Sequence, residues 1–180
     1  PVAKASELMP RITRFGIFQA ASALNRIPED RWIAINVSNC DFSRDLELAS
    51  EKYQIDPARL RFEVTEDTIL DSATIARFNK IKLLGHLFEI DDFGAQSANF
   101  EWLGKIAVDG VKLDAQFVHG AHSNPNRAAI CRSAVELCQG YTPPLEVIAE
   151  GIEDLDDLAF VANLGIRMGQ GWLFARPHPL

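Results

Sequence analysis

Six side chains able to do ionic chemistry stand at the C-terminal ends of short β-rich runs: Asn36, Glu63, Asp91, Asp92, Lys112 and Glu150. Carboxylates in such places are costly unless they are paired, solvated or metal-bound. Asn36, Glu63 and the two aspartates offer only oxygen ligands, the preference of Mg²⁺ or Mn²⁺ rather than zinc. Lys112 adds a cation that could hold a phosphate or orient a water, and Glu150 a carboxylate that could serve as a base or a further ligand. Two divalent ions clamped by carboxylates around a phosphodiester form a standard hydrolytic arrangement, because the ions lower the pKa of the attacking water. For any one of these residues a solvated charge at a loop start, or a carboxylate favoured by a helix dipole, is the simpler explanation. Five strand ends together favour the site.

The elements that must position these groups alternate along the chain. Candidate strands cover 32–38, 60–65, 87–91, 110–114 and 146–149, with a weak one near 166–169; helix-like stretches cover 8–24, 44–53, 72–84, 97–105, 125–138 and 155–163. Ser72 is placed to cap a helix that Gly85 ends, Asn124-Pro125 reads as a cap followed by a first-turn proline, and Gly165 reads as a stop. Strand–helix alternation implies a parallel sheet with helices outside it, either open and doubly wound or part of an eight-stranded barrel. No G-x-G-x-x-G follows a strand, which weighs against a dinucleotide-binding domain. Polar residues at nearly every strand end favour the barrel, whose mouth would gather them.

Strand geometry yields two finer expectations. Adjacent Asp91 and Asp92 would point oppositely in a regular strand, so the strand should end there, with Phe93-Gly94 opening a loop. Arg61 shares a face with Glu63, and Glu89 with Asp91, so on neighbouring strands Arg61 and Glu89 should form an interior ion pair.

With 18 Lys+Arg against 25 Asp+Glu, the formal net charge is 18 − 25 = −7 over 180 residues. That balance argues against a DNA or RNA duplex, or an anionic membrane, as the main partner. A small anionic ligand stays open, since bound metals can supply positive charge locally. Apolar residues at 47% exclude disorder, and no run approaches the roughly 20 apolar residues of a membrane span. Cys40, Cys131 and Cys138 lack a C-x-x-C pair; Cys131 and Cys138 stand two turns apart on a predicted helix, and all three read as reduced, buried thiols of a cytosolic protein. His119 and His122 read as solvated loop residues, and Asp154, Asp156 and Asp157 as an acidic helix start. Trp32, Trp102 and Trp172 read as packing residues. Pro1 in place of an initiator Met hints at a piece of something longer.

In chain order the sequence resembles the EAL domain family of cyclic di-GMP phosphodiesterases. Ile35-Asn36-Val37-Ser38 resembles the family's N-V-S strand and Phe62-Glu63-Val64-Thr65-Glu66 its E-x-T-E motif. Asp91-Asp92-Phe93-Gly94 is similar to D-D-F-G, Val111-Lys112-Leu113-Asp114 to I-K-I-D, Ala149-Glu150-Gly151-Ile152-Glu153 to A-E-G-V-E, and Gly169-Gln170-Gly171-Trp172-Leu173-Phe174 to G-Q-G-Y-L-F. The resemblance implies an α/β, TIM-barrel-like EAL fold, represented here by about six strands. It implies that Asn36, Glu63, Asp91 and Asp92 ligate two Mg²⁺ or Mn²⁺ ions. Lys112 would contact the catalytic water or phosphate, and Glu150 would assist as a base or through the metals' water. Gln170 would line the site, Glu66 would tether the loop after Asp92, and Asp114 and Glu153 would support the metal ligands.

The family's E-A-L strand, with its ligating Glu and following Arg, should precede Pro1. Residues 1–180 are therefore expected to be an N-terminally truncated EAL domain lacking two strands and a helix, and weak or inactive alone. Ala95-Gln96-Ser97-Ala98-Asn99 also stands where the family resembles T-G-Y-S-S. The leading expectation is hydrolysis of cyclic di-GMP to its linear dinucleotide in the bacterial cytoplasm, in a homodimer and beside sensory or GGDEF-type domains. The alternative is an inactive EAL domain acting as a cyclic di-GMP receptor or a protein-interaction module; a remoter one is a different barrel enzyme acting on another phosphoester.

Overall fold

A computed structural model describes residues 2–37, 41–65, 72–94 and 106–176. Six strands, β1 (Ile33–Asn36), β2 (Leu60–Thr65), β3 (Leu87–Phe93), β4 (Gly110–Leu113), β5 (Glu146–Ala149) and β6 (Met168–Gly169), follow one another in chain order within one sheet. The helices are α1 (Val2–Leu24), α2 (Ser43–Tyr53), α3 (Ser72–Leu83), α4 (Ala115–Val118), α5 (Pro125–Gln139) and α6 (Leu155–Asn163). The chain clusters into two compact units, Pro1–Glu89 with Asn99–Val108, and Ile90–Ala98 with Asp109–Leu180.

In the first unit β1 and β2 pair in parallel, with Asn36 opposite Glu63. β2 alternates strictly: Leu60, Phe62 and Val64 are buried on one face, and Arg61, Glu63 and Thr65 occupy the other. Phe62 is the hub of the apolar face, its ring 5.1 Å from Phe42, 5.4 Å from Phe88 and 5.3 Å from His86. His86 is itself buried, with Nδ1 3.0 Å from the Leu60 carbonyl. Burial lowers its pKa, the neighbouring carbonyls opposing the shift, which favours a neutral ring. In α1, Thr13, Ile17, Ala20, Ala21 and Leu24 form a buried stripe at helical spacing. The Arg59 guanidinium donates to the carbonyl of the helix's last residue, Leu24, at 3.1 Å, and to those of Ile27 and Pro28 just beyond it at 3.3 and 2.7 Å.

The expected Arg61–Glu89 pair is present, with Nη1 to Oε1 at 2.7 Å and side chains 13% and 2% exposed. The Arg61 guanidinium also lies over the Trp32 ring, 4.0 Å from its centroid. Trp32, expected as a packing residue, is 37% exposed, and its ring is covered by a cation.

In the second unit β5 pairs in parallel with β4 and β6; Leu113 faces Ala149, and Ala149 faces Gly169. Ala128, Cys131, Ala134, Val135 and Cys138 make the buried stripe of α5. Burial pushes both thiols up to about 11, so they stay protonated and unreactive. Asn124 caps α5 as expected, its side chain accepting from Asn126 N and Arg127 N. The helix expected over 97–105, together with Cys40, Glu66 and Trp102, lies outside the described residues. Ser72 is the first residue of α3 rather than an observed cap. Among the described residues no helix is long and apolar enough to cross a membrane.

Candidate metal and phosphodiester site

β3 does not stop at Asp91. It runs on to Phe93, correcting the expectation of a strand end, because Asp92 adopts φ 55° inside the strand. This left-handed residue breaks the alternation, so adjacent aspartates need not face opposite ways. Aspartate is among the few non-glycine residues that tolerate it. Gly94, at φ 89°, turns the chain away; a Cβ there would sit 3.2 Å from the Phe117 ring.

Three carboxylates converge as a result. One oxygen each from Asp91, Asp92 and Glu150 lie within 4.8 Å of one another. Lys112, buried on β4, joins two of them: its Nζ lies 2.8 Å from Asp91 Oδ1 and 2.7 Å from Glu150 Oε1. Gln170 Nε2 donates to the same Glu150 oxygen. Partial burial raises the pKa of Asp92, the charges of Asp91 and Asp114 add to the rise, and Lys112 opposes it. Three carboxylates against one ammonium leave an excess of negative charge in an all-oxygen setting. That donor set suits a hard divalent cation such as Mg²⁺, Mn²⁺ or Ca²⁺.

The backbone fixes Glu150 tightly. Its N–H donates to Leu113 O at 3.1 Å, Gln170 N donates to Ala149 O at 2.8 Å, and Ile152 N donates to Gln170 O at 3.1 Å. Gly151 takes φ 68° directly against Ala115, where a Cβ would overlap the alanine's own. The A-E-G-I-E run is thus held between the chain segments leaving β4 and β6.

The remaining expected residues belong to other strands, turns and loops. Asn36 and Glu63 are register partners at the ends of β1 and β2 in the first unit; Val37 N donates to Glu63 O at 3.0 Å. Asp114 caps α4, its Oδ1 accepting from Gln116 N at 2.7 Å. Glu153 lies beside His119 at 4.0 Å. Glu66 is outside the described residues. The acidic run does open α6, and His119 and His122 are exposed as expected; what the sequence does not show is that Asp157 is fully buried, with both rings turned toward it. Asp154 alone behaves as a simple cap, accepting from Asp157 N. No spacing rule links residues 119 and 122 to 157; the fold makes them neighbours.

Comparison with known proteins agrees with this arrangement. The EAL domain family model matches residues 1–177. Cyclic di-GMP phosphodiesterase PdeB of Shewanella oneidensis is 29% identical over 97% of this chain and 21% of its own length. Cyclic di-GMP phosphodiesterase PdeR of Escherichia coli is 34% identical over 65% of this chain and 18% of its own. The chain thus spans about a fifth of the length of these curated relatives. Among solved structures, the PaMucR phosphodiesterase in complex with c-di-GMP superposes with a TM-score of 0.86 at 27% identity, covering 99% of this chain and 76% of that one. The manganese and cyclic di-GMP complex of Klebsiella pneumoniae BlrP1 gives a TM-score of 0.83 at 27% identity, covering 93% of this chain and 45% of that one. The parallel α/β arrangement is therefore the TIM-barrel-like fold of these proteins.

Proposed function

Because the chain belongs to the EAL domain family, we propose that it is part of a divalent-metal-dependent phosphodiesterase opening cyclic di-GMP to its linear dinucleotide. The observation that carries this reading is the convergence of Asp91, Asp92 and Glu150 around Lys112. Relatives named as cyclic di-GMP phosphodiesterases support the substrate. Asp91 and Asp92 are the proposed ligands in the second unit; Asn36 and Glu63 join the set through their motif resemblance. Mg²⁺ and Mn²⁺ both suit these oxygen donors. When bound, such ions activate water and neutralise charge developing on the phosphodiester.

The chain's own groups do the rest. Lys112 holds the Asp91 and Glu150 carboxylates in place and offers positive charge to a phosphate oxygen. Glu150, oriented by Lys112 and Gln170, accepts the proton of the attacking water. Asp114 fixes the start of α4 beside Asp92, Glu153 follows Glu150 in the same clamped loop, and Glu66 is assigned to the loop after Asp92. A homodimer, neighbouring sensory or GGDEF-type domains and a cytoplasmic setting complete the proposal.

The test is chromatographic detection of linear dinucleotide from cyclic di-GMP, with Mn²⁺, using the complete gene product. Turnover abolished by EDTA and restored by Mn²⁺ is the expected result. Tight binding of cyclic di-GMP without turnover would replace the enzyme by a receptor, and failure to bind it would end both readings.

A further inference from the structure

A second group of ligand-type atoms converges where the turn after α4 meets the start of α6. Asp157 is wholly buried there. Its Oδ1 accepts the Gly120 N–H at 2.8 Å and lies 3.3 Å from His122 Nδ1, while its Oδ2 lies 3.2 Å from His119 Nδ1. One ligand atom each from His122, Asp154 and Asp157 lie within 4.8 Å of one another. Asp154 caps the helix through Oδ1 alone, which leaves its second oxygen outside that bond.

The spacing is informative. His122 Nδ1 and Asp157 Oδ1 stand 3.3 Å apart. Around a tetrahedral cation with bonds of roughly 2.0–2.1 Å, neighbouring donor atoms stand about 3.3 Å apart. His122 and Asp154 are exposed, giving an ion a way in, and Asp157 is fixed from behind by the Gly120 amide. A mixed imidazole and carboxylate set differs from the all-oxygen site at Asp91, Asp92 and Glu150 and favours a borderline ion.

We propose that His122, Asp154 and Asp157 form a second cation site, of the Zn²⁺ class, with water completing a tetrahedron. His119 lies outside the ligand set and holds the other oxygen of Asp157, as outer partners orient ligating carboxylates. The ion joins the 120–123 turn to α6, whose cap follows Glu150 by four residues.

The test uses the purified protein with Asp91→Asn and Glu150→Gln introduced to silence the other site. Zn²⁺ is titrated against a chromophoric chelator, and Co²⁺ is followed by its visible absorption. One tightly held equivalent is expected, with a tetrahedral Co²⁺ spectrum and a rise in melting temperature on adding Zn²⁺. His122→Gln and Asp154→Asn should each weaken binding at least about tenfold, and His119→Gln less. His122 is exposed, so His122→Gln should melt like its parent without metal while losing the zinc-dependent rise. No retained zinc in the parent, or unchanged affinity in His122→Gln, would overturn the site and leave a hydrogen-bonded His–Asp cluster.

Discussion

Arg61 with Glu89, and Asp91 with Asp92, Lys112 and Glu150, are both groups of charges withdrawn from water on strands of one sheet. The first is balanced: one guanidinium meets one carboxylate at 2.7 Å and stacks on Trp32. The second is unbalanced among the described residues, three carboxylates around one ammonium, and burial, helped by the charges of Asp91 and Asp114, raises the pKa of Asp92. A buried pair of opposite charges serves the fold. An unbalanced one is left incomplete until a cation or proton joins it, which is the signature of a site.

The largest expected effect lies on the unbalanced side. Asp91→Asn, Glu63→Gln and Glu150→Gln should each lower turnover by roughly 100-fold or more, since loss of an outer partner alone commonly costs 10–100-fold. Glu153→Gln should cost less than about tenfold. Equal, negligible losses in steady-state assays of linear dinucleotide would reduce all four carboxylates to surface charges.

On the balanced side the effect should be structural. Arg61→Met removes the guanidinium from the buried Glu89 and should destabilise by about 3–5 kcal/mol in denaturant unfolding, whereas Arg61→Met with Glu89→Leu should recover most of that. A double variant no better than the single would show that the pair does more than neutralise itself.

Smaller effects sharpen the contrast. Gly151→Ala places a Cβ against Ala115 at φ 68° and should cost about 1–3 kcal/mol, with activity falling as Glu150 shifts. Asp92→Asn keeps a residue that tolerates φ 55° and removes a charge that its acidic neighbours resist. It should leave stability unchanged or raise it by no more than about 0.5 kcal/mol in the same unfolding experiment, even as activity is lost.

Much of this was legible in the residues. Short β-rich runs bounded by turn residues located β2 and β5 to the residue, and side-chain parity paired Arg61 with Glu89. Carboxylates at strand ends identified Asp91, Asp92 and Glu150 before any resemblance was invoked. The course of β3 was not legible, since a left-handed Asp92 inside a strand violates the parity on which the expectation rested. Nor was the role of Arg59, whose guanidinium closes a helix end 35 residues earlier. Asp157 reads as one of three acids at a helix start, and it is one; its burial beneath His119 and His122 depends on long-range packing that local patterns do not encode.

Manganese binding tests the central claim most directly. Mn²⁺ titrated into the protein and followed by electron paramagnetic resonance, in a His122→Gln background so that the carboxylate site alone is read, should show uptake. Asp91→Asn with Glu150→Gln in that background should weaken it by at least about tenfold. Unchanged Mn²⁺ affinity in that variant would contradict the assignment of Asp91 as a metal ligand with Glu150 beside it.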